Sequence, residues 1–500
     1  KINYKYSGGK IMVDKAIYEQ VHQWMEAHKE NMINDIQRIV RIPSISNTLE
    51  EVKPFGAACR QAMDEMLQIG REHGFYTENY EYYVGSIGEK EKKWDDMIGF
   101  WNHLDVVPVG EGWDFDPFGA ELKGDLLIGR GSQDNKGPAI GMLYVMECIR
   151  DLKLPVGHQL CLFVGSDEER GMADLEYYTK NYPTPALSMI ADCGFPVCYG
   201  EKGIIEGKTV SLGTMSESVL EFYGGSAGNI IPDKAVLVVK KDSITEKQLE
   251  ELKGLKQPST EESLIRVEKK EDQIVITAKG SGGHSAFPEG STNAIQVLCK
   301  AVLSTKILGE NDRKIVEAVC EGTSDNYGKA FGIQYEDIES GRLTCVGTVL
   351  RLKENHAELT FNIRYSITAK GCEITEKLIN YWNGKGFKWK TDRDSAPSFF
   401  DPSHPAIGAL TETYNELTDR SLKPYTMGGG TYARKLPRAF GFGIGNMPEV
   451  KKEESSCLRP GHGNAHGADE VLDCERLSKA LEIYVMGLLA LKDVKLLAEK

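Results

Sequence analysis

Histidines and carboxylates recur in this chain at the ends of short apolar runs, where such groups can hold metal ions and move protons. His103 and Asp105 stand two residues apart within the run 98 to 109. Side chains at i and i+2 share one face of a strand, so the two project together. That placement suits a metal-ligating imidazole whose tautomer and basicity are set by a nearby carboxylate. An isolated His-x-Asp is more often a core histidine satisfied by its aspartate, but this pair is not isolated. Asp134, the doublet Glu168-Glu169 and Asp192 also fall where apolar runs end, and His466 stands just before the last amphipathic helix. Five of these residues, His103, Asp134, Glu169, Asp192 and His466, are candidate metal ligands. A set of imidazoles and carboxylates without thiolates fits Zn, Mn or Co, and two ions rather than one. Asp134 leaves a strand into the turn-forming Gln-Asp-Asn-Lys-Gly, a place that suits a bridging carboxylate. Adjacent glutamates at a strand end point in different directions, so one can ligate while the other faces a water and acts as general base. The stretch GHGNAHGADE holds two histidines; His466 is preferred because it directly precedes an acidic helix start, with His462 the alternative.

The elements that must carry these groups read as an α/β layer. Apolar residues at helical spacing run from Met12 to Val40 and stop at the proline of RIPSIS, and a second amphipathic helix covers 53 to 74. His22, His28 and His73 lie on these helices among charged neighbours and read as solvated surface. Strands are expected at 98–109, 125–131, 158–169 and 187–194, with a helix from Pro138 to Leu152 between them. Apolar strands alternating with helices indicate a mainly parallel sheet whose ligand sites lie beyond the strand C-termini. From about 205 to 390 the strands become longer and β-branched, with hairpin character, which indicates an inserted α+β domain. The expected domains are therefore 12–205 and 391–500, forming one catalytic domain, and 206–390 as the insert. The insert carries an internal echo, AVLVVKK before SITEKQLEEL and LTFNIRYSI before EITEKLINYW, consistent with a duplicated strand-helix unit. Ser243 and Glu246 have capping-box spacing at the first of these helices. A helix entered through Pro405 and a final amphipathic helix over 468–492 complete the chain.

Composition narrows the function classes. Sixty Lys and Arg against 74 Asp and Glu give a net charge of −14, which opposes attraction to nucleic acid or anionic membrane surfaces. The 11 cysteines are odd in number, scattered and without CxxC spacing, so reduced thiols in a cytoplasm are expected rather than a disulfide framework. No run of 18 apolar residues and no signal-peptide pattern is present. Residues 1–11, polar and preceding the first methionine, read as an extension or an expression remnant.

HLDVVP, GRGSQDNKGP, GSDEERG, ADCG and the late AHGADE, in that order, resemble the co-catalytic zinc peptidase family of carnosinases, acetylornithine deacetylase, succinyl-diaminopimelate desuccinylase and carboxypeptidase G. NIIPDKA, GHSAFPEG and MGGGTYAR are most similar to its bacterial dipeptidase V type. The resemblance implies a cytoplasmic di-zinc dipeptidase that hydrolyses unblocked dipeptides with a metal-activated water. It makes His103 and Asp192 ligands of one metal, Glu169 and His466 ligands of the other, and Asp134 the bridge, followed by a cis peptide to Asn135. Asp105 orients His103 and Glu168 is the general base. The insert becomes a lid, whose His284 stabilises the oxyanion while Asn229 and Arg364 hold the substrate backbone and carboxylate. Gly428, Gly429 and Gly430 are placed to offer amides to that carboxylate; lacking a following GKS or GKT, they do not read as a phosphate loop. A duplicated lid would fill the space a partner's lid occupies in dimeric relatives, favouring a monomer. The rival readings are a deacylase or desuccinylase of N-acyl amino acids with the same chemistry, and a catalytically silent metal- or peptide-binding protein.

Overall fold

In the computed structural model, which describes residues 13–255, 265–445 and 458–497, the strand Met97–His103 is buried along its whole length in the middle of a nine-stranded sheet. The segment 1–11 lies outside the described residues. Gln159–Gly165 and Leu187–Ile190 flank this strand in parallel, and Ala439–Gly441 extends the parallel set beyond Leu187–Ile190. Val84–Gly88 and Tyr76–Tyr80 continue the other side as antiparallel strands. Successive side chains of a strand point to opposite faces, and here both faces are covered. Ile98, Phe100, Leu160, Leu162 and Val164 join a core with the helices Lys15–Val40, Gly137–Asp151 and Cys474–Ala490. Met97, Trp101, Cys161 and Phe163 face the other way, against Leu175 and Tyr178 of the helix Ala173–Asn181. Each fully buried side chain of this size contributes about 1.5–3 kcal/mol, so the central strands are anchored from two sides. The strand expected over 98–109 is buried on both faces but ends at His103, where the chain leaves the sheet.

The chain divides into two compact units. One runs to Gly200 and resumes over Phe399–Thr426 and from Gly430; the other comprises Glu201–Ser398 with Met427–Gly429. The second unit is built on an eight-stranded antiparallel sheet in the order 265–269, 273–279, 234–240, 219–224, 344–353, 356–365, 203–211, 387–395. Its two four-stranded halves meet where Gly224 pairs with Leu350. The strands of the sequence echo, Lys234–Lys240 and His356–Tyr365, are each third from their own edge, and each is followed by a helix, Glu246–Lys253 and Gly371–Gly384.

Several local expectations are corrected. The capping box lies at Thr245 and Gln248, while the Ser243 hydroxyl donates to the Lys240 carbonyl in the preceding turn. The last helix begins at Cys474, because Val471–Asp473 pairs as a strand with Leu126–Ile128 and Asp473 then caps the helix. His73 is not solvated: its ring bridges Asp35 at 3.0 Å and Glu147 at 2.6 Å. His22 pairs with Glu482, and His28 stacks on Trp24. Among the described residues no helix is long and apolar enough to cross a membrane.

Candidate active site

Sheet register brings the chemistry-bearing residues to one level. His103 lies opposite Gly165 and Trp101 opposite Ile190. Three neighbouring strands therefore end together, delivering His103 itself, Glu168 and Glu169 just past Gly165, and Asp192 two residues past Ile190. Asp134 comes from the turn Ser132–Lys136, entered through Gly131 at φ 83, a left-handed conformation that glycine adopts freely. Asp134 departs from helical geometry at φ −127 and ψ 93, and the peptide that follows it is cis. Asn135 is buried and pins the turn to both neighbouring strands. Its Oδ1 accepts from Asn102 Nδ2 at 2.5 Å, and its Nδ2 donates to the Ala191 carbonyl at 2.9 Å and to Asp192 Oδ1 at 3.0 Å.

The two oxygens of Asp134 face different histidines, Oδ1 at 3.0 Å from His103 Nε2 and Oδ2 at 3.1 Å from His466 Nε2. His466 Nε2 also lies 2.9 Å from Glu169 Oε1, and His103 Nε2 lies 3.7 Å from Asp192 Oδ2. Ligand atoms of His103, Asp134 and Glu169 fall within 4.8 Å of one another, as do those of His103, Glu168 and Asp192. Asp105 is buried behind this set. Its carbonyl oxygen is 3.0 Å and its Oδ1 3.5 Å from His103 Nδ1, and its two carboxylate oxygens accept the Glu168 and Glu169 amides at 3.2 and 3.1 Å. Asp105 therefore links the histidine to the glutamate doublet. His462 is held elsewhere, 2.6 Å from Asp469 Oδ2, while Asp469 Oδ1 accepts the Asp114 and Phe115 amides. His466 has φ 63, a region a few per cent of non-glycine residues occupy.

Charge is crowded here. Burial alone would lower the His103 pKa, but Asp105 and Asp134 hold it well above the usual imidazole range. Hydrogen bonds to Asp134 and Glu169 push His466 up to about 10. Burial works to raise Asp134, yet the two histidines keep it below the usual carboxylate range. Burial raises Glu168 and Asp192 well above that range, with further upward pressure on each from neighbouring carboxylates. The carboxylates around His103 and His466 favour positive charge at these ring nitrogens, and divalent cations bound there in place of a proton would supply it. Borderline nitrogen and hard oxygen donors of this kind fit such ions. Glu168 is 9% exposed, and its Oε1 is buried without a hydrogen-bond partner among the described residues.

Within the inserted unit the residues expected to bind substrate form a connected group. Ile230 pairs with His284 across two short strands, and the Ser285 amide donates to the Asn229 carbonyl. The Ser285 hydroxyl donates to Asn362 Oδ1, which also accepts from Arg364 Nε. Arg364 is 7% exposed rather than a surface cation, and its Nη1 donates to the Gly428 carbonyl at 3.1 Å. Gly429 follows in the same unit. Gly430 belongs to the first unit, where a Cβ in its place would press on the Arg434 guanidinium.

Sequence reasoning missed Asn135, Arg130, Glu470, Asp174 and Tyr432. Asp174 accepts the Ser166 and Asp167 amides and the Tyr432 hydroxyl, ordering the loop before Glu168. A Cβ at Gly165 would collide with both Tyr432 and Asp174. Arg130 and Glu470 sit inside GRGSQDNKG and AHGADE, so proximity to candidate ligands was the only signal for them.

The profile of peptidase family M20/M25/M40 matches residues 99–489. The chain belongs to this family. It is a hydrolase acting on peptide bonds. A Bacillus subtilis protein named "Putative dipeptidase YtjP" is 30% identical over 470 residues, covering 92% of this chain and 97% of its own length. A Staphylococcus haemolyticus protein named "Putative dipeptidase SH1171" is 28% identical over 483 residues, covering 94% of this chain and 99% of its own length. Among solved structures, the dipeptidase Dug1p of Saccharomyces cerevisiae superposes with a TM-score of 0.57 at 13% identity, covering 95% of this chain and 98% of its own. Human carnosine dipeptidase 1 gives 0.55 at 13%, covering 96% and 99%. At these identities the structural likeness speaks for the α/β peptidase fold alone.

Proposed function

We propose that this M20 peptidase is a metal-dependent dipeptidase that hydrolyses unblocked dipeptides with two divalent ions, best suited to Zn, with Mn or Co as alternatives. The observation that carries the reading is the split of Asp134 between His103 and His466, with Asp192 beside the first histidine and Glu169 beside the second. In this assignment His103 and Asp192 would hold one ion and Glu169 and His466 the other, with Asp134 shared between them. Ions held there would polarise the scissile carbonyl and would lower the pKa of a water to about 7.

The chain's own groups do the rest. Asp105 fixes the His103 ring, directing its Nε2 toward Asp134. Glu168, with an unpaired buried oxygen, accepts the proton of the attacking water and returns it to the leaving amine. Its protected setting keeps bulk water from competing for that oxygen. His284 is assigned to the developing oxyanion, Asn229 to the substrate backbone, and Arg364 to the substrate carboxylate, a task its bidentate fork suits. Gly428, Gly429 and Gly430 are assigned amide contacts with the same carboxylate. A cytoplasmic location is proposed on the cysteines, which are scattered and lack CxxC spacing. The monomer is proposed on the insert's doubled architecture.

The test is release of free amino acids from unblocked dipeptides, tripeptides and N-acetylated or succinylated amino acids, by chelator-stripped protein with and without Zn, Mn or Co. Metal-dependent cleavage confined to unblocked dipeptides is expected. Cleavage of acylated substrates alone would transfer the same site to deacylation, and two bound metals without any cleavage would favour the silent binding protein.

A further inference from the structure

Behind the proposed ligands lies one ion pair that the catalytic assignment does not use. Glu470 is fully buried, and its carboxylate is saturated. Oε2 accepts Arg130 Nη1 at 2.7 Å and the Gly131 amide at 3.0 Å, while Oε1 accepts the Gln133 and Asp134 amides, each at 3.0 Å. Three of its four donors are thus backbone amides of the turn that presents Asp134. Arg130, 1% exposed, turns its other nitrogen, Nη2, to the carbonyls of Val109 at 3.1 Å and His466 at 3.3 Å. Its guanidinium also lies over the Trp113 ring, 5.1 Å from the centroid.

We infer that Glu470 and Arg130 are positioning residues that hold Asp134 and His466 in register for shared metal binding. The inference rests on the two-metal reading above. Glu470 fixes the Asp134 backbone directly, and Arg130 carries the constraint to His466, whose left-handed backbone at φ 63 has little conformational preference of its own to keep it there. A buried ion pair is weak evidence of stabilisation, since apolar replacements of similar volume are often neutral. What an apolar pair cannot do is accept three amides of one loop and donate to the carbonyl of another. The His103–Asp192 side depends instead on Asn135, so loss of Glu470 should fall more heavily on the ion assigned to Glu169 and His466. Partners behind metal ligands change affinity by about 10- to 100-fold.

The experiment is calorimetric titration of chelator-stripped full-length wild type, Glu470→Gln and Arg130→Met with Zn, accompanied by Co absorption spectra and circular dichroism. Wild type is expected to take two ions. A folded Glu470→Gln is expected to take one ion nearly as wild type and the other about 10- to 100-fold more weakly, with an altered Co spectrum. Arg130→Met serves where Glu470→Gln does not fold, with the same expectation. A folded variant that binds both ions with wild-type affinity overturns the inference, whereas a wild type that binds no divalent ion overturns the two-metal reading itself. Hydrogen exchange in stripped wild type provides a readout independent of any variant. The Gly131, Gln133 and Asp134 amides should be protected before metal is added, and rapid exchange there would also defeat the inference.

Discussion

Replacing Asp105 by alanine should separate metal binding from fold stability in a calculable way. The wild-type carboxylate accepts the buried amide of Glu168 and the part-buried amide of Glu169 and lies beside His103 Nδ1. Alanine removes both acceptors and leaves two amide donors without partners. A buried unsatisfied donor costs about 1–3 kcal/mol, and the part-buried Glu169 amide costs less, so the metal-free protein should lose about 1–4 kcal/mol, a sizeable part of the roughly 5–15 kcal/mol that holds a domain folded. Asp105→Asn retains one acceptor oxygen but turns an amino group toward the second amide, and should fall between wild type and alanine. The His103 ring keeps its contact with the residue-105 carbonyl, so metal affinity should fall by about 10- to 100-fold rather than vanish. Urea unfolding of chelated protein reads the first quantity, and Zn titration at a urea-free reference condition reads the second. An Asp105→Ala protein with the wild-type unfolding midpoint and wild-type affinity for both ions would refute the idea that this carboxylate joins His103 to the glutamate doublet.

Glu168→Gln should reduce turnover by at least about 100-fold while both ions remain bound, since general base catalysis contributes about 10²–10⁴; metal analysis beside a rate assay checks this, and near-normal turnover would remove Glu168 from the role. His466→Ala should weaken one ion and His462→Ala neither, because His462 faces Asp469; equal metal loss in both would reverse that assignment. Hydrogen bonds to Asp35 and then Glu147 raise His73 from 6.5 to about 9. A group raised on folding stabilises fully below its unfolded pKa and loses that contribution as pH rises through the folded value, here between 6.5 and about 9. The shift corresponds to about 3 kcal/mol, so the stability gap between wild type and His73→Gln should narrow across that window in urea titrations, and a gap that stays constant would exclude His73 as its source.

Much of the site was legible before any fold was known, because strand ends carry their chemistry in the local pattern. His103 with Asp105, the Glu168-Glu169 doublet and Asp192 each close an apolar run, and periodicity places such closures at one edge of a parallel sheet. Less legible was whatever depends on partners distant in the chain. His73 was misread because its carboxylates, Asp35 and Glu147, come from two other helices. The Cys474 helix start was displaced by a strand pairing with residues 126–128, which no local preference announces.

By itself, then, the sequence determined the kinds of side chain available, their order, and which of them share a strand face, since these follow from residue type and a period of two or 3.6 residues. Tertiary structure decided how they meet. It set His103, Gly165 and Ile190 at matching levels through sheet register, gave one oxygen of Asp134 to each histidine, chose His466 over His462 for that contact, and brought Glu470 beneath a turn more than three hundred residues earlier in the chain. The physical reason is that hydrogen bonds between remote segments form only once the cores beneath them have packed, and packing is a property of the whole unit rather than of any local pattern.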